Sequence, residues 1–232
     1  MNNYYTFIIT STINTPFGKF SPEERFNQTL ETIESIKRKV PNVKILLIDN
    51  SPMKFPEIEE ELIKSKVDLF KYIEHNIVTE YFNRNWKIGH GEVYLMWDAM
   101  RTLRASNMIG KRIFKISGRY RLSDSFDIAA YENPELYNKY VGIINNWDFA
   151  QKIYDYDCRK RTTYFETRLW SFCESLFDEY ENLIPCIYKF LIDIEPNYEV
   201  AHHSLLDHNK IIIFNPIHVE GYTAYNAEIK AE

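Results

Sequence analysis

Unbroken apolar runs alternate with amphipathic stretches through the first half of the chain. Tyr5 to Ile9 (YTFII) is a β-rich run that stops at Thr10-Ser11-Thr12. A helix start follows, because Ser21 can cap, Pro22 suits the first helical position and Glu24 completes a capping box. Phe26, Leu30, Ile33, Ile36 and Val40 then recur at helical spacing. Val43 to Ile48 (VKILLI) reads as a buried parallel strand, halted by Asp49-Asn50-Ser51-Pro52. Strand, helix and strand in that order make a βαβ unit.

The alternation continues. Pro56 to Lys64 reads as a short helix, Val67 to Ile73 as a third strand, and Gly91 to Ala105 as a helix. Lys111 to Ile116 (KRIFKI) is a fourth strand, broken by Ser117-Gly118. Beyond it, Val141 to Asn145 and Tyr164 to Phe172 read as strands and Glu174 to Leu191 as a helix. His202 to Asp207 reads as helical, and Ile211 to Phe214 as a last strand. The pattern predicts an α/β protein with helices over a mostly parallel sheet. No repeat or Pro/Gly linker interrupts it, so the expectation is one domain over residues 1–232. Ligands of such sheets bind beyond the carboxyl ends of the strands. Four places qualify: Thr10 to Thr12, Asp49-Asn50, Lys87 to Glu92, and Ser117 to Arg121.

Composition narrows the chemistry. Of the 232 residues, 45 % are hydrophobic, enough for a real core. A net charge of −5 argues against a nucleic-acid or membrane-surface partner, which would call for a basic excess. The 17 Tyr and 15 Phe fit either a stacking surface for sugars or bases, or simply an A/T-rich coding sequence. Three cysteines without C-x-x-C spacing predict reduced thiols and no Cys-based zinc site. With no signal peptide and no membrane-length apolar run, a cytoplasmic protein is expected.

Each candidate site has two readings. Asp49, directly after a strand, can accept hydrogen bonds from a ribose or base, or form an Asx-turn before Pro52. Lys87-Ile88-Gly89-His90-Gly91-Glu92 can bring backbone and a helix start to an anion, or be a tight turn. Arg119 in Ser117-Gly118-Arg119-Tyr120-Arg121 can fork onto phosphate oxygens, or pair with a structural carboxylate. His202-His203 with Asp207 and His208 lacks the H-E-x-x-H spacing of a zinc site, and adjacent histidines diverge on a helix.

These segments resemble nucleotide-diphospho-sugar transferases of the GT-A fold, especially small ones from polysaccharide gene clusters and large DNA viruses. The resemblance is carried by the first strand with Thr10-Ser11-Thr12, LLIDNSP at Leu46 to Pro52, KIGHGE at Lys87 and FKISGRY at Phe114 to Tyr120. Thr167 to Trp170 and Val219-Glu220-Gly221 add to it. It implies a Rossmann-like three-layer sandwich with a nucleotide-binding half (about 1–120) and an acceptor half (about 121–232). The implied activity is hexosyltransferase-like transfer from a nucleotide sugar to a glycan or other hydroxyl acceptor.

By the same resemblance, Thr10, Ser11, Thr12, Asp49 and Asn50 would hold the nucleoside, and Lys87 to Gly91 would pass beside the donor. Ser117, Gly118, Arg119 and Tyr120 would face the diphosphate. GT-A enzymes commonly bind Mn²⁺ or Mg²⁺ through Asp-x-Asp after the fourth strand, where this chain has Ser-Gly-Arg-Tyr. Asp155-Tyr156-Asp157 is the only later textual match, so Arg119 is expected to replace the metal at least in part. The base candidates are Glu195, Glu199, His202 and His203, with Glu199 and His202 favoured. A sugar-phosphate nucleotidyltransferase and a non-catalytic nucleotide- or carbohydrate-binding module are the competing functions.

Overall fold

The computed structural model describes residues 3–16, 18–74, 88–147, 162–194, 196–222 and 229–231. Strands β1 (Tyr5–Ser11), β2 (Val43–Asp49), β3 (Leu69–Tyr72) and β4 (Arg112–Ser117) come from the first half of the chain. From the second half, β6 (Tyr140–Gly142), β9 (Leu169–Cys173) and β10 (Ile211–Ile213) join the same seven-stranded sheet, ordered β10-β6-β9-β4-β1-β2-β3. Only β9 runs antiparallel to its neighbours there. A second sheet places β11 (Val219–Tyr222) between β5 (Tyr120–Leu122) and β12 (Ile229–Ala231), and β7 (Ile144–Trp147) pairs with β8 (Thr162–Phe165).

The central strands are covered on both faces, which explains their unbroken apolar runs. Ile8, Leu46, Ile48 and Ile113 face helices α3 (Ile88–Ala105), α4 (Phe177–Ile194) and α5 (Tyr198–Leu205). The alternate residues Phe7, Ile9, Ile45, Leu47, Phe114 and Ile116 face α1 (Pro22–Lys39). Each such side chain contributes about 1.5–3 kcal/mol by leaving water. Helix α2 (Glu57–Lys66) covers the β3 edge.

The capping box at Ser21 forms as the sequence predicts, with Glu24 N–H donating to Ser21 Oγ at 3.2 Å and Glu24 accepting from Ser21 N–H at 2.7 Å. Several boundaries differ. Tyr164 to Phe172 is two strands, because Glu166-Thr167-Arg168 leaves the sheet between β8 and β9. Val141 to Asn145 likewise divides between β6 and β7, and Ile88 to Glu92 is the first turn of α3 rather than a loop. Besides its apolar stripe, α1 buries Thr29, Thr32 and Ser35. Thr32 donates to the Tyr120 carbonyl at 2.7 Å and Ser35 accepts from Leu122 N–H at 3.0 Å, tying the helix to β5.

Candidate active site

Strand register brings three of the four segments together. Ser11 lies opposite Asp49, and Thr10 opposite Ser117, at the carboxyl ends of β2, β1 and β4. The loops continue the pairing: Asn50 N–H donates to Ser11 C=O at 3.2 Å and Gly118 N–H to Thr10 C=O at 2.9 Å. The Thr12 hydroxyl reaches Asn50 Oδ1 at 2.5 Å. Gly118 lies flush with α1, since a Cβ there would come within 3.1 Å of Thr29 Oγ1. The helix turn of KIGHGE joins them, because a Cβ on Gly91 would lie 3.3 Å from Asn50 Nδ2. Lys87, Asp155, Asp157 and Glu195 lie outside the described residues.

Asp49 turns inward. Its carboxylate is fully buried and accepts from Ser11 Oγ at 2.7 Å, Ile13 N–H at 3.0 Å and Ser51 N–H at 2.7 Å. Burial pushes this carboxyl up, while the bonds from Ser51, Ser11 and Ile13 pull it down. Its carboxylate is therefore engaged within the protein, where it shapes the β1 loop. Tyr120 is also buried, on the α1 side of the sheet.

Arg119 occupies the turn between β4 and β5. Gly221 on β11 allows this turn to pack closely, because a Cβ there would lie 2.3 Å from the Arg119 carbonyl. Among the described residues no carboxylate pairs with its guanidinium. Desolvation lowers the Arg119 pKa, Tyr120 and Glu92 act in the opposite sense, and Arg168 adds like-charge repulsion. Arg25 of α1 donates to the carbonyls of Phe20 and Thr12, each at 3.2 Å, and so holds the β1–α1 loop. Burial, with the charge of Arg119 next, lowers Arg25 to about 10. Three arginines thus crowd one strand end, an arrangement that favours an anion.

On the α3 and α5 face of the same strand ends lies a group that the sequence reading did not assemble. Lys115, fully buried on β4, forms an ion pair with Glu92 of α3. It also donates to Ser117 Oγ at 3.0 Å and to the Thr167 carbonyl at 2.6 Å. The Thr167 hydroxyl donates to Glu199 Oε1 at 3.2 Å, placing the first turn of α5 at the site. Glu166 pairs with Arg168 at 3.2 Å. Burial above all, then the charge of Glu92, raises Glu199 to about 7, the range of a working general base.

His202, one turn further along α5, does not share the site. It is fully buried among Phe165, Trp170, Tyr180 and Tyr198, with ring centroids 4.7–5.6 Å away. Helical periodicity sends Glu199 to the strand ends and His202 into the core. Neither ring nitrogen has a partner among the described residues, and burial holds the imidazole down at about 3. A histidine depressed in this way stabilises the fold fully above its unfolded pKa of about 6.5. That contribution is lost as pH falls through about 3. His202→Phe is accordingly expected to flatten the loss of stability between those two limits, measured by urea unfolding across a pH series.

No protein-family model and no curated protein matches the chain. Solved structures do. Core-mannan synthase A of Aspergillus fumigatus, in a Mn/GDP form, superposes with a TM-score of 0.55 at 12 % identity, over 92 % of this chain and 73 % of that one. The galactosyltransferase LgtC, solved with donor and acceptor sugar analogues, gives 0.54 at 7 % identity, over 90 % of this chain and 73 % of that one. The fold is GT-A glycosyltransferase-like. The glycosyltransferase GlyE of Streptococcus pneumoniae gives 0.50 at 8 % identity, over 92 % of this chain. This chain spans only 46 % of GlyE's length. In the GT-A-like frame, the end of β4 and the turn into β5 read Ser117-Gly118-Arg119-Tyr120, which offers no carboxylate. Among the described residues no group of three His, Cys, Asp or Glu side chains is placed to hold a metal, and Glu92 is engaged by Lys115. These residues do not suit a divalent ion, which needs oxygen ligands. No helix of the described residues is long and apolar enough to cross a membrane.

Proposed function

We propose that the chain transfers a sugar from a nucleotide-diphosphate-sugar donor to a hydroxyl acceptor such as a glycan. The observation that carries this reading is Arg119 at the end of β4, whose guanidinium has no carboxylate partner among the described residues and feels the charges of Arg25 and Arg168. An anion there relieves the mutual repulsion, and a diphosphate matches the fork geometry of arginine. The uses of nucleotide and sugar named for the neighbouring structures agree with this assignment. The cytoplasm, where thiols stay reduced, is the expected compartment.

In a single displacement the acceptor oxygen attacks the anomeric carbon. The bond from that carbon to the diphosphate oxygen breaks, and the electron pair leaves with the nucleoside diphosphate. Arg119 neutralises the charge growing on that leaving group. Glu199 takes the proton from the acceptor hydroxyl. Thr10 to Thr12, Asn50, Ser117 and Gly118 line the strand ends where the donor would lie, and Asp49 holds the loop that carries them.

Arg119→Ala is expected to raise the barrier by about 2–4 kcal/mol, and Arg119→Lys to recover only part of it because the fork is lost. Calorimetric titration with nucleoside diphosphates, with EDTA or with Mn²⁺, tests the assignment alongside turnover of a nucleotide-sugar panel. Donor binding should survive EDTA. If EDTA abolishes binding, Mn²⁺ restores it and Arg119→Ala binds normally, the arginine assignment is wrong.

A further inference from the structure

Three carboxylates gather near the β4 end, and they differ in what they face. Glu92 takes the ammonium of Lys115 and Glu166 takes the guanidinium of Arg168. Glu199 receives a neutral donor, the Thr167 hydroxyl at 3.2 Å. Lys115 ties together three elements of this corner: α3 through Glu92, its own strand β4 through Ser117, and the β8–β9 turn through the Thr167 carbonyl. Thr167 is therefore held at its carbonyl by Lys115 while its hydroxyl presents Glu199.

We propose that Lys115 is a positioning residue for Glu199, fixing Thr167 against it and neutralising Glu92, so that Glu199 alone of the three carboxylates exchanges a proton during turnover. This deepens the sugar-transfer reading and rests on it for the word turnover, but the arrangement of charges stands without it. A lysine on a doubly covered strand is costly unless paired and hydrogen-bonded. A purely structural explanation needs only the pair with Glu92. It does not require the same ammonium to anchor the residue that carries the Glu199 hydrogen bond.

Among the described residues, the charged and titratable groups that act on Glu199 are Glu92 of α3, Glu166 of the β8–β9 turn, Lys115 of β4 and Tyr198 of its own helix. Glu92 and Glu166 raise the proton affinity of Glu199, and Lys115 lowers it. Removing Lys115 and removing the Glu92 charge should therefore act in opposite directions on the same group.

The test is a carboxyl-carbon NMR titration of protein labelled with ¹³C-glutamate, with the Glu199 signal assigned through Glu199→Gln. No donor or acceptor is needed, so the outcome is separate from whether sugar transfer occurs. Lys115→Met should move the Glu199 midpoint up by about one unit, and Glu92→Gln should move it down by a similar amount. Where turnover is measured, the acid limb of kcat should follow the same two shifts. Should Lys115→Met fail to fold, Thr167→Val replaces it: loss of the hydroxyl should raise the midpoint, and Thr167→Ser should restore it. A midpoint unmoved in the folded variants, or moved in the same direction by the lysine and Glu92 changes, overturns the proposal. If the midpoints shift as expected while no nucleotide sugar turns over, the charge arrangement stands and the transfer reading falls.

Discussion

Glu199→Gln is expected to lower kcat by about 10²- to 10⁴-fold, the usual loss on removing a general base, while the nucleoside diphosphate binds as before. The amide keeps the shape and can still accept from Thr167, but it cannot take a proton. In the unaltered protein kcat should fall as pH drops through about 7, since the base must be ionised and burial has raised its proton affinity to that point. The same shift makes a prediction independent of activity. A carboxyl raised in the folded state contributes its full stability below the unfolded value of about 4.3. That contribution is lost as pH rises through about 7. At pH 8 the folded protein holds a poorly solvated anion, so Glu199→Gln should unfold at a higher urea concentration than the parent. Lost activity with gained stability is the mark of a group kept for chemistry. Equal turnover in Glu199→Gln would remove this residue from the mechanism, whatever its effect on stability.

Strand-end addresses were legible in the sequence because they depend only on where apolar runs stop. Thr10, Asp49 and Ser117 each follow such a run, and parallel pairing aligns the ends. Side-chain direction was not legible to the same degree. Asp49 alternates onto the α1 face and Asn50 takes the next place at the loop, a distinction that needs the register with β1. His202 and Glu199 share a helix, and only its packing against β8 and α4 decides that one enters the core. Lys115 did leave a signal, since a lysine inside KRIFKI must find a buried partner. The partners lie 23 and 52 residues away in sequence, so periodicity could not name them. Thr29, Thr32 and Ser35 escaped for a related reason: polar residues on the buried face of α1 look exposed until β5 and the turn before it supply their partners.

Asp49→Ala is expected to cost about 3–5 kcal/mol of stability, because it strips an acceptor from several buried donors at once. Ile13 N–H and Ser51 N–H have their bonds to this carboxylate, and neither is near water. The Ser11 hydroxyl is better placed, since the Ile48 carbonyl lies 3.4 Å away and can take its proton. For a chain of this length the loss corresponds to a fall in Tm of roughly 6–20 °C, measured by differential scanning calorimetry. Asp49→Asn should recover part of it, as one oxygen still accepts while the amide N–H₂ faces other donors. Nucleoside diphosphate affinity should fall as well, by the indirect route of a loosened Thr10-to-Thr12 loop. The two routes separate by temperature. If Asp49 acts through the loop, affinity measured well below the lowered Tm approaches that of the parent. If the carboxylate bonded the nucleoside directly, the deficit would persist undiminished in the cold, where the variant is fully folded.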